Sequence, residues 1–365
     1  MLQIIRGLCN RTNNPDSSFK TKVFSEHNNS VLTPLCKNLR QYLFTISCEE
    51  VTFAKRGFYS KDIEVQQRLE NIGNTFLHGY HTAIAIDNLE TLVWKLNNVE
   101  TELRGFAFEG AAMGLALLDY FTPWKHRIET FLTIGAASHV YMVYVGIGWA
   151  LARIPLSVDR YLAQLNKEVT KNTNNLEIQN SKLRNIHPLF GWLTIDGYGF
   201  HQGYFNASRY VRQQIIPREI TGYARRVFDQ GLGRSLWFVD GADVNRISVT
   251  IRSFDDRRQA DLWSGVGLAC TYAGGVDCAE EEALLLAADI YCPHLAQGAA
   301  FAAKARSLAG NSETHTEMTC QVLCKMSAEA ASQITDIALK NLPIDGIETV
   351  YEVWRQRIQK KFAAV

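Results

Sequence analysis

The chain has 365 residues, 47% of them hydrophobic and 21% charged, with a formal net charge of +1. That composition supports one large domain or two ordinary ones with an ample core, and the near-zero charge excludes the electrostatic footprint of a nucleic-acid binder. The N-terminal run Met1-Leu-Gln-Ile-Ile-Arg-Gly-Leu-Cys is too short for a signal peptide and lacks a small-residue cleavage site.

Residues 1–40 are polar, rich in Asn and Ser, and carry no sustained period, so they read as a poorly ordered tail. From Gln41 the chain turns apolar. Asp62 to Ala85 has helical spacing, with Leu69, Ile72, Phe76, Gly79 and Tyr80 on or near one stripe. Asp87 and Asn88 are N-cap candidates for a helix to about Asn97, and Thr101 to Leu118 forms the next. Thr133 to Ile154 is the most apolar stretch. His139, Arg153 and its Gly and Ser content make it a buried core helix rather than a membrane span. Gln164 to Ser181 is rich in Asn, Thr and Lys and reads as a surface insertion, and His187-Pro188 restarts the apolar pattern. Asp243 and Asp255 are caps for helices Val244–Phe254 and Arg257–Ala273, the latter ended by Gly274-Gly275. Asp277, Pro293, Gly310 and Pro343 punctuate four more helical runs. Period-2 alternation is scarce, so the predicted fold is all-α.

A glycine signature recurs over these helices. It reads Phe76-Leu-His-Gly79, Phe108-Glu-Gly110, Phe200-His-Gln-Gly203, Phe228-Asp-Gln-Gly231 and Leu295-Ala-Gln-Gly298, with GxG elements at Gly146-Ile-Gly148 and Gly265-Val-Gly267. Gly79 matches Gly203, Gly110 matches Gly231 and Gly148 matches Gly267 at nearly constant spacing. Recurrence of this kind predicts a helical array built by internal duplication. Its parts are a first unit at 41–163, a polar linker at 164–186, a second unit at 187–276 and a partial C-terminal unit at 277–365. All of 41–365 packs as one body.

A residue before a helical glycine lies about 100° around the helix from it. If the glycines pack against neighbouring helices, the polar residues beside them fall along one seam. The sharp expectation is a polar pocket lined by His78, His81, Glu109, His201 and Asp229, with His201, Glu109, His78 and Asp229 as catalytic acids and bases. Gln202, Gln230, Gln297, Tyr80 and Tyr204 are the substrate-binding candidates. The competing account is structural: each polar side chain satisfies a backbone carbonyl or a helix end. Tyr141, Tyr144, Trp149, Trp237, Phe238 and Trp263 are core residues, or the lining of a cavity for a flat polyene.

Metal and cofactor signals are thin. His78-x-x-His81 with Glu109 or Asp229 offers ligands, but Glu-x-x-His pairs on the signature helices and HExxH are both absent. No metal site is assigned, the cofactor stays unknown, and a single haem-ligating His stays open. The eight cysteines form no CxxC; Cys320 and Cys324 would share a helical face, as small apolar residues in a reducing compartment. Asp255-Asp256-Arg-Arg-Gln259 reads as a helix cap, and the GxG elements lack the strand–turn–helix setting of a dinucleotide fold. There is no GxSxG and no Walker loop.

Five long segments carry a family resemblance: Phe106-Ala-Phe-Glu-Gly-Ala-Ala-Met, His139 through Arg153, Asp196-Gly-Tyr-Gly-Phe-His-Gln-Gly-Tyr-Phe, Phe228 through Val244, and Asp261 through Gly275. Together they resemble the bacterial family catalogued as domain of unknown function 1702, UnbL type, from about Leu43 to the C-terminus. The polar tail and the 164–181 insertion depart from its more compact pattern. Members are commonly encoded in enediyne polyketide clusters, so the resemblance implies a role in specialised metabolism without supplying a reaction. The expected function is an auxiliary enzyme of polyketide or enediyne-like biosynthesis, acting by acid–base chemistry on a long unsaturated apolar intermediate. The alternative is a non-catalytic helical scaffold or carrier that docks on the polyketide synthase or other cluster-encoded proteins. The expected location is cytoplasmic or peripheral to the membrane.

Overall fold

The computed structural model describes residues 40–155, 157–171, 189–343 and 348–364. The expected tail at 1–40, save Arg40, and most of the 164–186 linker, with His187-Pro188, lie outside the described residues. Among the described residues the chain is helical with no strand, so the all-α expectation holds. The main helices are α1 (Ile63–Ala85), α2 (Leu89–Asn97), α3 (Arg104–Phe121), α4 (Val140–Arg153), α5 (Ser157–Lys171), α6 (Gly191–Phe205), α7 (Ala224–Val239), α8 (Val244–Arg252), α9 (Asp256–Ala273), α10 (Cys278–Ala288), α11 (Cys292–Ala309), α12 (Thr314–Leu323), α13 (Ala328–Leu339) and α14 (Val350–Phe362).

Short polar side chains set the helix starts. Asp62, Asn88, Asp243 and Asp255 accept hydrogen bonds from first-turn amides of α1, α2, α8 and α9. Asp277 and Glu280 form a reciprocal capping box on α10. Gly310 ends α11 with a left-handed residue. The expected boundary at 163/164 falls inside α5, because the helical pattern runs on through Lys171.

Glycines determine how the helices pack. On α4, α6, α7 and α9 a Gly-x-Gly element occupies equivalent positions. Its first glycine meets the backbone of the preceding helix in the array and its second meets the following one. A Cβ on Gly197 would overlap the Val145 carbonyl of α4, and one on Gly199 the Phe228 carbonyl of α7. Gly231 and Gly233 meet Asp196 and Leu262 in the same way, and Gly265 and Gly267 meet Gln230 and Leu295. Gly146 meets Glu109 of α3, and Gly148 meets Thr194 of α6. At the ends, Gly79 of α1 and Gly110 of α3 face each other's helices, and Gly298 of α11 faces Ser264. The absence of Cβ atoms lets backbones touch directly at these crossings. The register expected from sequence therefore changes. Gly203 meets the side chains of Ser235 and Leu232 rather than a backbone, so it is not the counterpart of Gly79. The recurrence shown by packing runs helix by helix.

The array curls into a ring of α1, α3, α4, α6, α7 and α9. Arg68 of α1 donates to the Ala273 carbonyl at the end of α9 (2.7 Å), which joins the two ends. α11 packs on α9 and reaches back to the turn before α3, where Arg306 donates to the Glu102 carbonyl (3.2 Å) and Asn311 to that of Thr101 (3.1 Å). The segment before α1 crosses one end of the ring: Tyr59 donates its amide to the Val239 carbonyl (3.1 Å), and Tyr204 its hydroxyl to that of Val51 (3.4 Å). The main hydrophobic core runs from Ile46 to Phe362, and a second cluster gathers Leu92, Leu96, Phe108, Leu115 and Phe131.

Residues 123–153 are long and apolar enough by length and composition to cross a membrane, yet half of the most apolar window is buried. Turns at Leu132–Ala136 and Ala137–His139 break the stretch. The 14 residues of α4 span about 21 Å, short of the roughly 30 Å of a bilayer core.

Candidate functional site

The ring geometry fixes which polar residues point inward. At about 100° per residue, a glycine facing the preceding helix and one two places later facing the following helix lie about 200° apart. The residue before the first glycine and the residue between the two then lie on opposite sides of the array. The first set points in: Glu109, Val145, Asp196, Gln230, Ser264 and Gln297. All six are buried. The second set points out and includes His78 on α1, which is exposed, and Tyr198 on α6.

Four of the inward residues form a hydrogen-bonded chain. Gln230 donates to Asp196 (2.7 Å), and Ser264 stands between Gln230 (3.3 Å) and Gln297 (2.9 Å). Arg234 pairs with the other oxygen of Asp196. Helix α14 covers this chain. Tyr351 lies 3.2 Å from Gln230, Arg355 donates to Gln297 (3.3 Å), and Arg355 also pairs with Asp261 (2.6 Å). Arg226 bridges Asp261 (3.0 Å) and Glu352 (2.5 Å) beside them. Gln230 and Gln297, expected to bind substrate, are instead part of a buried polar network that seats α14.

Glu109 differs. It faces a central cavity of about 40 Å³ lined from every helix of the ring, including Phe76, Phe106, Trp149, Phe200, Arg234 and Tyr272. Its Oε1, the Trp149 indole N–H and the Tyr272 hydroxyl are all buried without a hydrogen-bond partner among the described residues. Burial pushes the Glu109 pKa up to about 7; Arg234 opposes this and Asp196 adds to it, while the Trp149 N–H, close by but outside hydrogen-bonding geometry, is the smallest influence. Burial likewise raises the Tyr272 hydroxyl. Arg234 lies over the Phe200 ring, 4.9 Å from its centroid, with its charge held by Asp196. A smaller cavity of about 30 Å³ lies on the far side of Arg234, Leu268 and Tyr272. A carboxyl near neutral pKa in an aromatic wall, beside a fixed cation and a free phenol, is a group placed to hold or move a proton. At this size the cavity has room for water.

The other expected catalytic residues do not join Glu109. His78 faces outward for the reason given above. His81 accepts a hydrogen bond from the Ile46 amide (3.2 Å). Asp229 is held by both nitrogens of the Arg258 fork (2.9 and 2.5 Å), which Arg258 combines with a bond to the Gln214 carbonyl (2.8 Å). His201 is buried between Trp149 and Phe205, with neither ring nitrogen partnered among the described residues. Burial, aided by Arg153, lowers its pKa to about 3, so it stays neutral. It does not line the central cavity. Tyr80 spends its hydroxyl on the Phe44 carbonyl (2.7 Å). Tyr204 does line the cavity, and Gln202 lines an outer cleft. The ligand set His78, His81 and Glu109 or Asp229 is not assembled, and among the described residues no three His, Cys, Asp or Glu side chains cluster as metal ligands.

Sequence reasoning missed Asp196, Arg234 and Tyr272. Asp196 had a readable signal, since it sits directly before Gly197 as Glu109 sits before Gly110. Arg234 had a weaker one, a lone cation in an apolar helix run. Tyr272 had none, because its approach to Glu109 depends on closure of the ring. No curated protein and no solved structure matches the chain. A family model matches residues 35–362, most of the chain's length, so this protein belongs to the family described as Protein of unknown function (DUF1702).

Proposed function

We propose that the protein is an acid–base enzyme of specialised-metabolite biosynthesis, with Glu109 as its proton-handling group. The observation that carries this reading is the set of unpartnered polar atoms, Glu109 Oε1, Trp149 Nε1 and Tyr272 Oη, around one aromatic cavity. Most buried polar atoms in a folded protein are paired, and groups left over in a cavity with a perturbed carboxyl mark a site. Arg234, anchored by Asp196, would stabilise negative charge that develops on a substrate as Glu109 gives or takes a proton. The aromatic lining suits an unsaturated apolar substrate. Drug-sized ligands occupy about 300–1,000 Å³, far above the cavity's volume of about 40 Å³. The reading therefore requires Phe76, Phe106 or Phe200 to swing aside when the reacting segment enters.

The test is product output in the producing host. Glu109→Gln keeps the shape and removes the acid, and a drop of about 10²-fold or more is expected for a lost general acid–base group. His78→Ala, on the outer face, serves as the matched control. A folded Glu109→Gln protein with full output contradicts the proposal. The second reading, a non-catalytic scaffold or carrier docking on a polyketide synthase, is favoured by Asp229 and Gln230, whose side chains are taken up by hydrogen bonds within the fold. It predicts full output from Glu109→Gln and loss only from variants that unseat a partner.

A further inference from the structure

A second concave site lies outside the ring. A cleft of about 640 Å³ opens between the end of α4, the start of α5, the outer side of α6 and the segment 209–219. That volume is within the usual range for small-molecule sites, about 300–1,000 Å³. Its character is double. Ile154, Val158, Ile215 and Ile216 give it an apolar wall. Arg153, Arg209 and Arg218 border it, all three exposed. None of them makes an ion pair among the described residues, and Glu219 is the acid on the lining. Three cations thus stand on the lining against the one carboxylate of Glu219, a balance that an anion in the cleft would complete.

The segment that carries two of these arginines has a fixed, unusual backbone. Ser208–Arg212 is a π-helical turn, which sets Arg209 and the buried Tyr210. Such turns are rare and concentrate at functional sites. Gln214 follows at φ +56°, a region that non-glycine residues occupy only when the surroundings enforce it. Its surroundings do so. Its carbonyl accepts from Arg258 (2.8 Å), which is locked to Asp229, and its side chain donates to the Ser253 carbonyl (2.9 Å). On the α6 side, Tyr198 and Gln202 are buried at the lining.

We propose that this cleft binds an amphipathic anion. Arg153, Arg209 and Arg218 take a carboxylate or phosphate head, and Ile154, Ile215 and Ile216 take an apolar chain. Guanidinium groups fork onto either head with similar geometry. This site is separate from Glu109 and does not rest on the acid–base reading.

The test is calorimetric titration of the full chain with three probes below their micelle concentrations: palmitoleate, its methyl ester and dodecyl phosphate. The expected result is binding of at least one anion, with the uncharged ester at least tenfold weaker. The anion that binds tighter tells a free acid from a phosphate-bearing carrier as the source of the head group. The double variant Arg209→Gln/Arg218→Gln is expected to lose at least tenfold in affinity with an unchanged unfolding midpoint, since both side chains are exposed. A diazirine-bearing palmitoleate should label residues 215–218. Equal binding of ester and acid, an unaffected double variant, or labelling elsewhere would each overturn the proposal, as would no binding of either anion.

Discussion

Asp196, Gln230, Ser264 and Gln297 occupy the same helical position as Glu109, directly before the glycine that meets the preceding helix. Their surroundings differ. The first four lie under α14, from which Tyr351 bonds Gln230 while Arg355 and Gln359 donate to the Gln297 side-chain oxygen. Glu109 lies where the ring encloses aromatic side chains and a cavity, and its Oε1 has no partner among the described residues. Register alone puts a polar group inside. What the neighbouring element brings decides whether that group becomes structure or stays available for chemistry.

The polar seam is the easier half to break. Arg355 is fully buried, and its removal leaves two buried acids, Asp261 and Glu352, to share the single cation of Arg226. Stranding a buried charge costs about 3–5 kcal/mol, so Arg355→Met should show a loss of that size in urea denaturation. An unchanged midpoint would mean that α14 does not depend on the network.

Glu109 should give the opposite pattern. Its folded pKa is about 7, above the roughly 4.3 of an unfolded Glu. A raised carboxyl pKa stabilises the fold below the unfolded value, and that stability is lost as pH rises through the folded value. The loss between pH 4 and 8 is about 3 kcal/mol at 1.4 kcal/mol per unit. Glu109→Gln should remove this share of the pH dependence and be relatively more stable at pH 8. Asp229, Asp240 and Glu281 are also raised, chiefly by burial, and contribute equally to both proteins, so the difference isolates Glu109.

A smaller effect tests the packing common to both regions. A Cβ on Gly231 would collide with the Asp196 carbonyl. Overpacking of this kind costs about 1–3 kcal/mol, so Gly231→Ala should lower the unfolding midpoint accordingly, whereas alanine at the open Gly57, tested by the same melt, meets no neighbour and pays only for its positive φ. The smallest effect is expected at His78. His78→Ala should change stability by no more than about 0.5 kcal/mol, as for other exposed positions, and leave activity intact.

Much of the fold was legible. The caps Asn88, Asp243 and Asp255 act through side chains that bond nearby amides, so a local sequence window contains the whole cause. The glycine signature was legible as a packing device but not as a pairing scheme. A glycine does not name the backbone it will touch, and Gly203 was matched to Gly79 although it meets side chains. The site was legible at Glu109, an acid between Phe108 and Gly110 in an apolar helix. His78 carries the same local pattern and points the other way, because Gly79 faces the following helix while Gly110 faces the preceding one. That sign depends on the direction in which the ring closes, which is a tertiary property. Arg234 and Tyr272 reach Glu109 across the ring from α7 and α9, and only closure brings them there.

The central claim is that Glu109 is a buried carboxyl titrating near neutrality. The most direct measurement is infrared difference spectroscopy across pH 5–9 on wild type and Glu109→Gln. The account predicts a protonated carboxyl band that disappears with a midpoint near pH 7 and is missing from the variant. A band identical in the two proteins, or a Glu109 already ionised at pH 5, would contradict it.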